Sequence, residues 1–100
     1  MLGISGGAEA IETITSTTPS ITAAPNVRYM CGTLSTLSIT PCELGTCDVI
    51  FTSGTTATVL TVPNTVKWPA WFDPTSLNTS TIYEIIITDE IYGMVMRWNA

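Results

Sequence analysis

The chain of 100 residues contains no histidine and only three basic residues, Arg28, Lys67 and Arg97. Histidine is the commonest general base and metal-binding side chain, so its absence removes the usual centre of an acid–base or zinc site. The net charge of −5 disfavours a phosphate-binding surface. No apolar run reaches the roughly 18 residues that a membrane-spanning helix needs. We therefore expect no enzyme, no nucleic-acid partner and no membrane span.

Charge of either sign is scarce, at 11% of residues against about 25% in an average soluble domain. Hydrophobic residues make up 45%, and hydroxyls from 19 Thr and 8 Ser supply much of the remaining polarity. A single domain of this size has difficulty burying so many apolar side chains within itself, and copies of the chain or a host lattice can cover them instead. We therefore expect an oligomer. Because residues 1–7 lack a basic region and a continuous apolar run, we also expect synthesis in a cytosol without a cleaved leader.

Residues 1–26 differ from the rest of the chain because glycine and proline interrupt them and their isoleucines follow neither helical nor strand periodicity. This pattern predicts an extended arm or linker that closes at Pro25. The alternative interpretation is a disordered tail, whereas the arm interpretation adds that the tail orders on a partner. If the segment is an anchor, its isoleucines are the candidate contact residues: Ile4, Ile11, Ile14 and Ile21.

From Val27 onwards, short segments rich in β-branched residues alternate with turn signals every 8–12 residues or so, as in small all-β domains. The predicted strands are 27–31, 34–40, 47–52, 57–62, 65–68, 81–88 and 91–98. This spacing is typical of a small antiparallel β-sandwich or barrel-like domain. We therefore predict a compact β-domain over residues 27–100 behind the arm.

A two-residue turn at Asp89-Glu90 would join the last two predicted strands and pair Thr88 with Ile91. In that register Glu84 and Arg97 lie diagonally on one face and can form an ion pair. The rest of that face is largely apolar, and the opposite face is apolar throughout. A sheet that is apolar on both sides must be covered on both sides, which favours a neighbouring subunit as the second cover. The candidate contacts from these strands are Ile82, Ile86, Ile91 and Val95.

The densest aromatic cluster is the segment from Trp68 to Pro74, which holds Trp68, Trp71 and Phe72. Two Trp and a Phe between prolines can form a platform that stacks on sugars, or they can fill a core or anchor a subunit interface. Few amide or carboxylate side chains surround the cluster, so packing is the favoured interpretation. We include these three residues in the predicted oligomer interface.

The cysteines do not match a metal site, because Cys31, Cys42 and Cys47 lack the two close pairs that structural zinc requires. Two alternatives remain, a Cys42–Cys47 disulfide around the turn at Gly45 or three reduced thiols that pack as small apolar groups. The adjacent carboxylates of Asp89 and Glu90 fit a solvated turn better than an acid–base pair. The sequence therefore predicts no metal, no cofactor and no catalytic residue.

The stretch from Val27 to Trp98 resembles a module of tailed-bacteriophage structural proteins. The resemblance lies in Gly32-Thr33-Leu34-Ser35-Thr36-Leu37, in Asp48-Val49-Ile50-Phe51-Thr52-Ser53-Gly54-Thr55, and in the closing Tyr83-Glu84-Ile85 and Tyr92-Gly93 with Trp98 near the end. It is similar to the short head-fibre proteins of crAss-like gut phages. The resemblance implies a compact, commonly trimeric β-domain that projects from a capsid, and it implies no catalytic residues.

Three hypotheses follow. The first is a trimeric virion protein, a head fibre or capsid decoration anchored by residues 1–26, with the capsid and its own copies as partners. The second is a tail-fibre tip that binds a host-surface glycan through Trp68, Trp71 and Phe72. The third, a small enzyme or metal protein, has the least support from the residues.

Overall fold

Runs of Val, Ile and Thr favour strands, and glycine, proline and asparagine interrupt them. The computed structural model describes residues 10–100, and every regular element in that range is a strand. The eight strands are β1 (Ala10–Ile14), β2 (Ser20–Thr22), β3 (Val27–Thr33), β4 (Thr36–Thr40), β5 (Thr46–Ser53), β6 (Val59–Thr61), β7 (Thr81–Thr88) and β8 (Tyr92–Asn99).

The chain crosses from one sheet to the other after each of the strands β1 to β6. A five-stranded sheet has the order β1-β3-β5-β7-β8, and a three-stranded sheet has the order β2-β4-β6. β1, β3 and β5 are parallel to one another, as are β2, β4 and β6. Each circuit of the chain, which we call a rung, thus adds one strand to each sheet. This is the path of a parallel β-solenoid. The antiparallel hairpin β7–β8 completes the larger sheet.

The prediction of an all-β chain is confirmed, but the antiparallel order is wrong for the first six strands. Alternation of apolar and polar residues has the same period in parallel and antiparallel strands, so it does not reveal strand direction. Turn signals at short intervals are typical of hairpins. Here the same spacing carries the chain to the opposite sheet, and the strand there serves as the crossover to the next parallel strand.

The predicted arm is in part built into both sheets. β1 pairs with β3 from Ala10↔Val27 to Ile14↔Cys31, and β2 pairs with β4 around Ile21↔Ile39. Ile21 and Ala23 are buried. Residues 10–26 therefore carry the first rung, whose short strands are too brief to show a period in the sequence. Residues 1–9 lie outside the described residues.

The core lies between the two sheets and continues under the β7–β8 hairpin. Its best-buried large side chains come from both sheets: Leu37, Ile39, Val49, Phe51, Tyr83 and Ile85. The three-stranded sheet ends at β6, so the segment 62–80 covers the inner side of the hairpin with buried Val66, Phe72 and Leu77. The strand predicted at 65–68 is reduced to a single parallel bridge between Lys67 and Tyr92.

The β7–β8 hairpin differs from its predicted register by one residue. Thr88 pairs with Tyr92 rather than with Ile91, because Ile91 is added to the loop after the turn. Asp89 and Glu90 both adopt positive φ, at 53° and 52°, which gives the left-handed turn that tight hairpins favour even without glycine. A shift of one residue moves every β8 side chain to the other face. Met94, Met96 and Trp98 therefore share a face with Ile82 and Ile86, and the predicted Glu84–Arg97 ion pair is wrong.

Candidate functional site

The outward side of the five-stranded sheet, which we call the outer face, carries five of the nine large hydrophobic side chains that are exposed among the described residues. Strand alternation and register place sixteen side chains on it. One row runs Ile11, Arg28, Asp48, Ile86, Met94; a second runs Thr13, Met30, Ile50, Glu84, Met96; a third contains Thr52, Ile82 and Trp98; and a fourth contains Thr46, Thr88 and Tyr92.

The exposure of this face is concentrated at its two margins. Ile11 on β1 is 65% exposed, and Met94, Met96 and Trp98 on β8 are 62%, 42% and 50% exposed. The apolar side chains between them are half-buried by their neighbours in the sheet: Met30, Ile50, Ile82 and Ile86. Single exposed apolar residues are ordinary on protein surfaces, whereas a contiguous set marks a contact surface.

Three charged side chains form a compact cluster in the middle of the outer face. Arg28 Nε donates a hydrogen bond of 2.9 Å to Asp48 Oδ2, and Arg28 Nη2 lies 3.6 Å from Glu84 Oε2. Both carboxylate side chains are only 8% exposed, whereas that of Arg28 is 36% exposed. One guanidinium therefore serves two nearly buried carboxylates, and the surrounding apolar side chains shield the cluster from water.

Asp48 Oδ1 has no hydrogen-bond partner and is the sole buried side-chain oxygen or nitrogen of that kind in residues 10–100. Burying an acceptor without a donor costs free energy. Four residues of the outer face were not among the surface residues predicted from the sequence: Arg28, Asp48, Met30 and Ile50. The signal was present in the alternation of β3 and β5, but it has meaning only once the two strands are placed side by side in one sheet.

The seven predicted interface residues do not lie on one surface. Ile82 and Ile86 are on the outer face, as the two-sided character of β7 predicted. Val95 and Phe72 are buried, at 8% exposure each, so they belong to the core. Ile91 lies in the hairpin loop and is 37% exposed.

Within the aromatic cluster, Trp68 and Phe72 pack inward and Trp71 stands outward. Phe72 contacts both indoles, with ring centroids 5.1 Å from Trp68 and 5.7 Å from Trp71, and its edge meets Tyr83. Trp71 is 51% exposed, and the Arg97 guanidinium lies 4.7 Å above its ring. The cluster is thus mainly a core plug under the hairpin, and only Trp71 presents an aromatic surface to a ligand.

The predicted anchoring isoleucines also differ in their burial. Ile4 lies outside the described residues. Ile21 is buried and Ile14 packs against the core, so neither is available to a partner. Ile11 is the described member of the set that remains exposed, on the edge strand of the outer face.

The cysteines are free thiols. Burial raises the pKa of the Cys31 thiol to about 11. Burial, followed by the neighbouring Cys42, raises the pKa of the Cys47 thiol. Thiols held in the neutral form are poor nucleophiles. Within residues 10–100 no cluster of His, Cys, Asp or Glu could hold a metal ion, and no helix is long and apolar enough to cross a membrane.

Two clefts among the described residues differ in the polarity of their walls. One cleft, of about 520 Å³, lies between β1 and β2 and is lined mostly by hydroxyl-bearing and apolar side chains. A second of about 340 Å³ lies beside β6 and is apolar, with Leu60, Val62, Val66, Trp68 and Pro74 in its wall.

No protein-family model, curated protein or solved structure matches this chain.

Proposed function

We propose that the chain is a non-enzymatic structural protein of a bacteriophage virion, a head fibre or capsid decoration that assembles as a homotrimer. The observation that carries the proposal is the outer face, which exposes Ile11 at one margin and Met94, Met96 and Trp98 at the other. Exposed apolar area of this kind is unfavourable in isolation and becomes favourable when other chains cover it. The chain therefore acts as a component of an assembly.

The architecture supports the same proposal. Parallel ladders join the rungs of both sheets, and an antiparallel hairpin closes the larger one. Backbone hydrogen bonds therefore join every strand to a neighbour in its sheet. The outer face is largely apolar and its three charged side chains pair with one another, which suits close contact with neighbouring protein.

Anchoring to the capsid belongs to the N-terminal end in this proposal. Because Ile14 and Ile21 pack in the first rung, the candidates for the anchor reduce to residues 1–9 with Ile4, together with Ile11 at the exposed edge. Deletion of residues 2–9 is the appropriate variant, since it leaves β1 and β2 intact.

The test has two arms. Native mass spectrometry of the purified chain should give a mass of three copies, and an antibody against the chain should label the capsid surface of virions from its source. A monomer at micromolar concentration would contradict the trimer. Label on the tail would contradict head attachment, and no label on virions would contradict the virion assignment altogether.

A glycan-binding fibre tip is the second candidate, and the exposed indole of Trp71 favours it. Arg97 already covers one side of this ring at 4.7 Å, so a sugar would stack on the other side or displace the guanidinium. A glycan array with the wild-type chain and a Trp71→Ala variant distinguishes the candidates. Binding by the wild type that Trp71→Ala abolishes would support the fibre tip.

A further inference from the structure

We propose that the outer face of the five-stranded sheet is the surface through which copies of this chain contact one another, with a second copy covering the Arg28–Asp48–Glu84 cluster. The inference rests on the proposed function in one respect, that the chain forms a homo-oligomer. It adds the surface and identifies its occupant.

The composition of the face is that of an interface core. Protein interfaces are enriched in methionine, aromatic residues and arginine and depleted of lysine. The outer face carries Met30, Met94 and Met96 with Trp98 and Arg28, and its register positions contain no lysine. Three of the four methionines of the chain therefore lie on this one surface.

The exposed area is of the right size for such a contact. A large side chain has roughly 150–250 Å² of surface, so Ile11, Met94, Met96 and Trp98 present on the order of 400 Å² of mainly apolar area. Their fractional exposures are between 42% and 65%. Half-buried Ile82, Ile86, Met30 and Ile50 connect the two margins. A standard interface buries about 800 Å² per partner, so this face can supply the apolar half of one.

The distribution of charge favours a second copy over a basic partner. Arg28, Asp48 and Glu84 are the charged residues of the outer face, and they pair with one another. The other described acidic residues, Glu12, Glu43, Asp73, Asp89 and Glu90, lie off the face. The cluster carries a net charge of −1, held on two carboxylates that are each only 8% exposed, so two copies in contact here oppose little like charge. A strongly basic partner would be attracted to other parts of the surface instead.

The experiment compares Met96→Asp with Val59→Asp by native mass spectrometry over a range of protein concentrations. Both wild-type side chains are exposed, at 42% and 62%, but Val59 lies on β6 in the other sheet. Val59→Asp should assemble like the wild type. Met96→Asp should weaken assembly at least 100-fold, because it places an unpaired carboxylate in the apolar contact.

The outcomes separate this inference from the proposed function. A monomeric wild type would overturn both. A wild-type oligomer that persists in Met96→Asp would overturn the assignment of the surface and leave the oligomer standing. If Met96→Asp does not fold, as judged by circular dichroism, Met94→Lys takes its place, since Met94 is 62% exposed and its head group can stay in water in the free chain. Assembly by folded Met94→Lys would equally overturn the assignment.

Discussion

The indole of Trp68 lies directly over Gly93, so closely that a Cβ atom at position 93 would come within 2.5 Å of Trp68 Cε3 and Cζ3. The two residues are joined through the backbone as well, because Gly93 N donates a hydrogen bond of 2.8 Å to Lys67 O. This contact holds the start of β8 against the segment that covers the inner side of the hairpin.

Gly93→Ala should destabilise the chain by about 1–3 kcal/mol, because the methyl group forces Trp68 out of its packed position. Gly32→Ala is the matched control, since a Cβ there meets nothing within 4 Å. Urea unfolding followed by circular dichroism measures both. Equal stability of the two variants would contradict the close packing of Trp68 on Gly93.

Arg28→Met should destabilise the chain by about 1–3 kcal/mol, because it leaves Asp48 and Glu84 nearly buried without their cation. The loss is less than for a fully buried pair, since the Arg28 side chain is 36% exposed. Adding Asp48→Asn and Glu84→Gln to Arg28→Met should recover part of it. Urea unfolding of the set measures the coupling, and no recovery in the triple variant would contradict the role of the cluster.

Deletion of residues 2–24 should abolish cooperative folding, because it removes β1, β2 and the buried Ile21 and Ala23. Deletion of residues 2–9 should leave the strands described here folded. Circular dichroism and thermal unfolding of the two truncated chains distinguish the cases. A stable fold in the longer deletion would show that the first rung is dispensable.

Stability should fall as the pH rises from about 9 towards 11, because of the Cys31 thiol. Burial raises the folded-state pKa of this thiol to about 11. As the pH rises, the thiol therefore ionises first in the unfolded chain, which lowers the free energy of unfolding. The contribution is fully present below pH 9 and is lost as the pH rises through 11. Cys31→Ala should flatten the pH dependence of thermal unfolding in this window. An unchanged slope would contradict burial of the thiol.

Much of the fold could be predicted from the sequence. β7 was bounded correctly at Thr81 and Thr88, and β3, β4, β5, β6 and β8 were placed to within a few residues, because alternation and turn residues are local signals. Strand direction and partner choice are not local. They depend on which sheet the chain enters after each turn, so the parallel ladders and the first rung were missed.

The candidate surface shows the same division. The sequence placed Ile82 and Ile86 on an apolar outward face, which follows from alternation in β7 alone. It placed Val95 on that face too, because a turn without glycine gave no sign that Ile91 joins the loop. The Arg28–Asp48–Glu84 cluster joins β3, β5 and β7, and no local pattern reveals such a meeting.

Because the chain alternates between the two sheets, strands can be gained or lost without disturbing the fold only as a whole circuit of two strands. Loss of β3 and β4 together would bring β1 beside β5 and β2 beside β6, with every strand still pointing in its original direction. Loss of one strand alone would exchange the two sheets for all later strands, so that each would enter the sheet opposite to its present one. Natural variation in length should therefore occur as whole circuits, with the closing hairpin retained as a constant end.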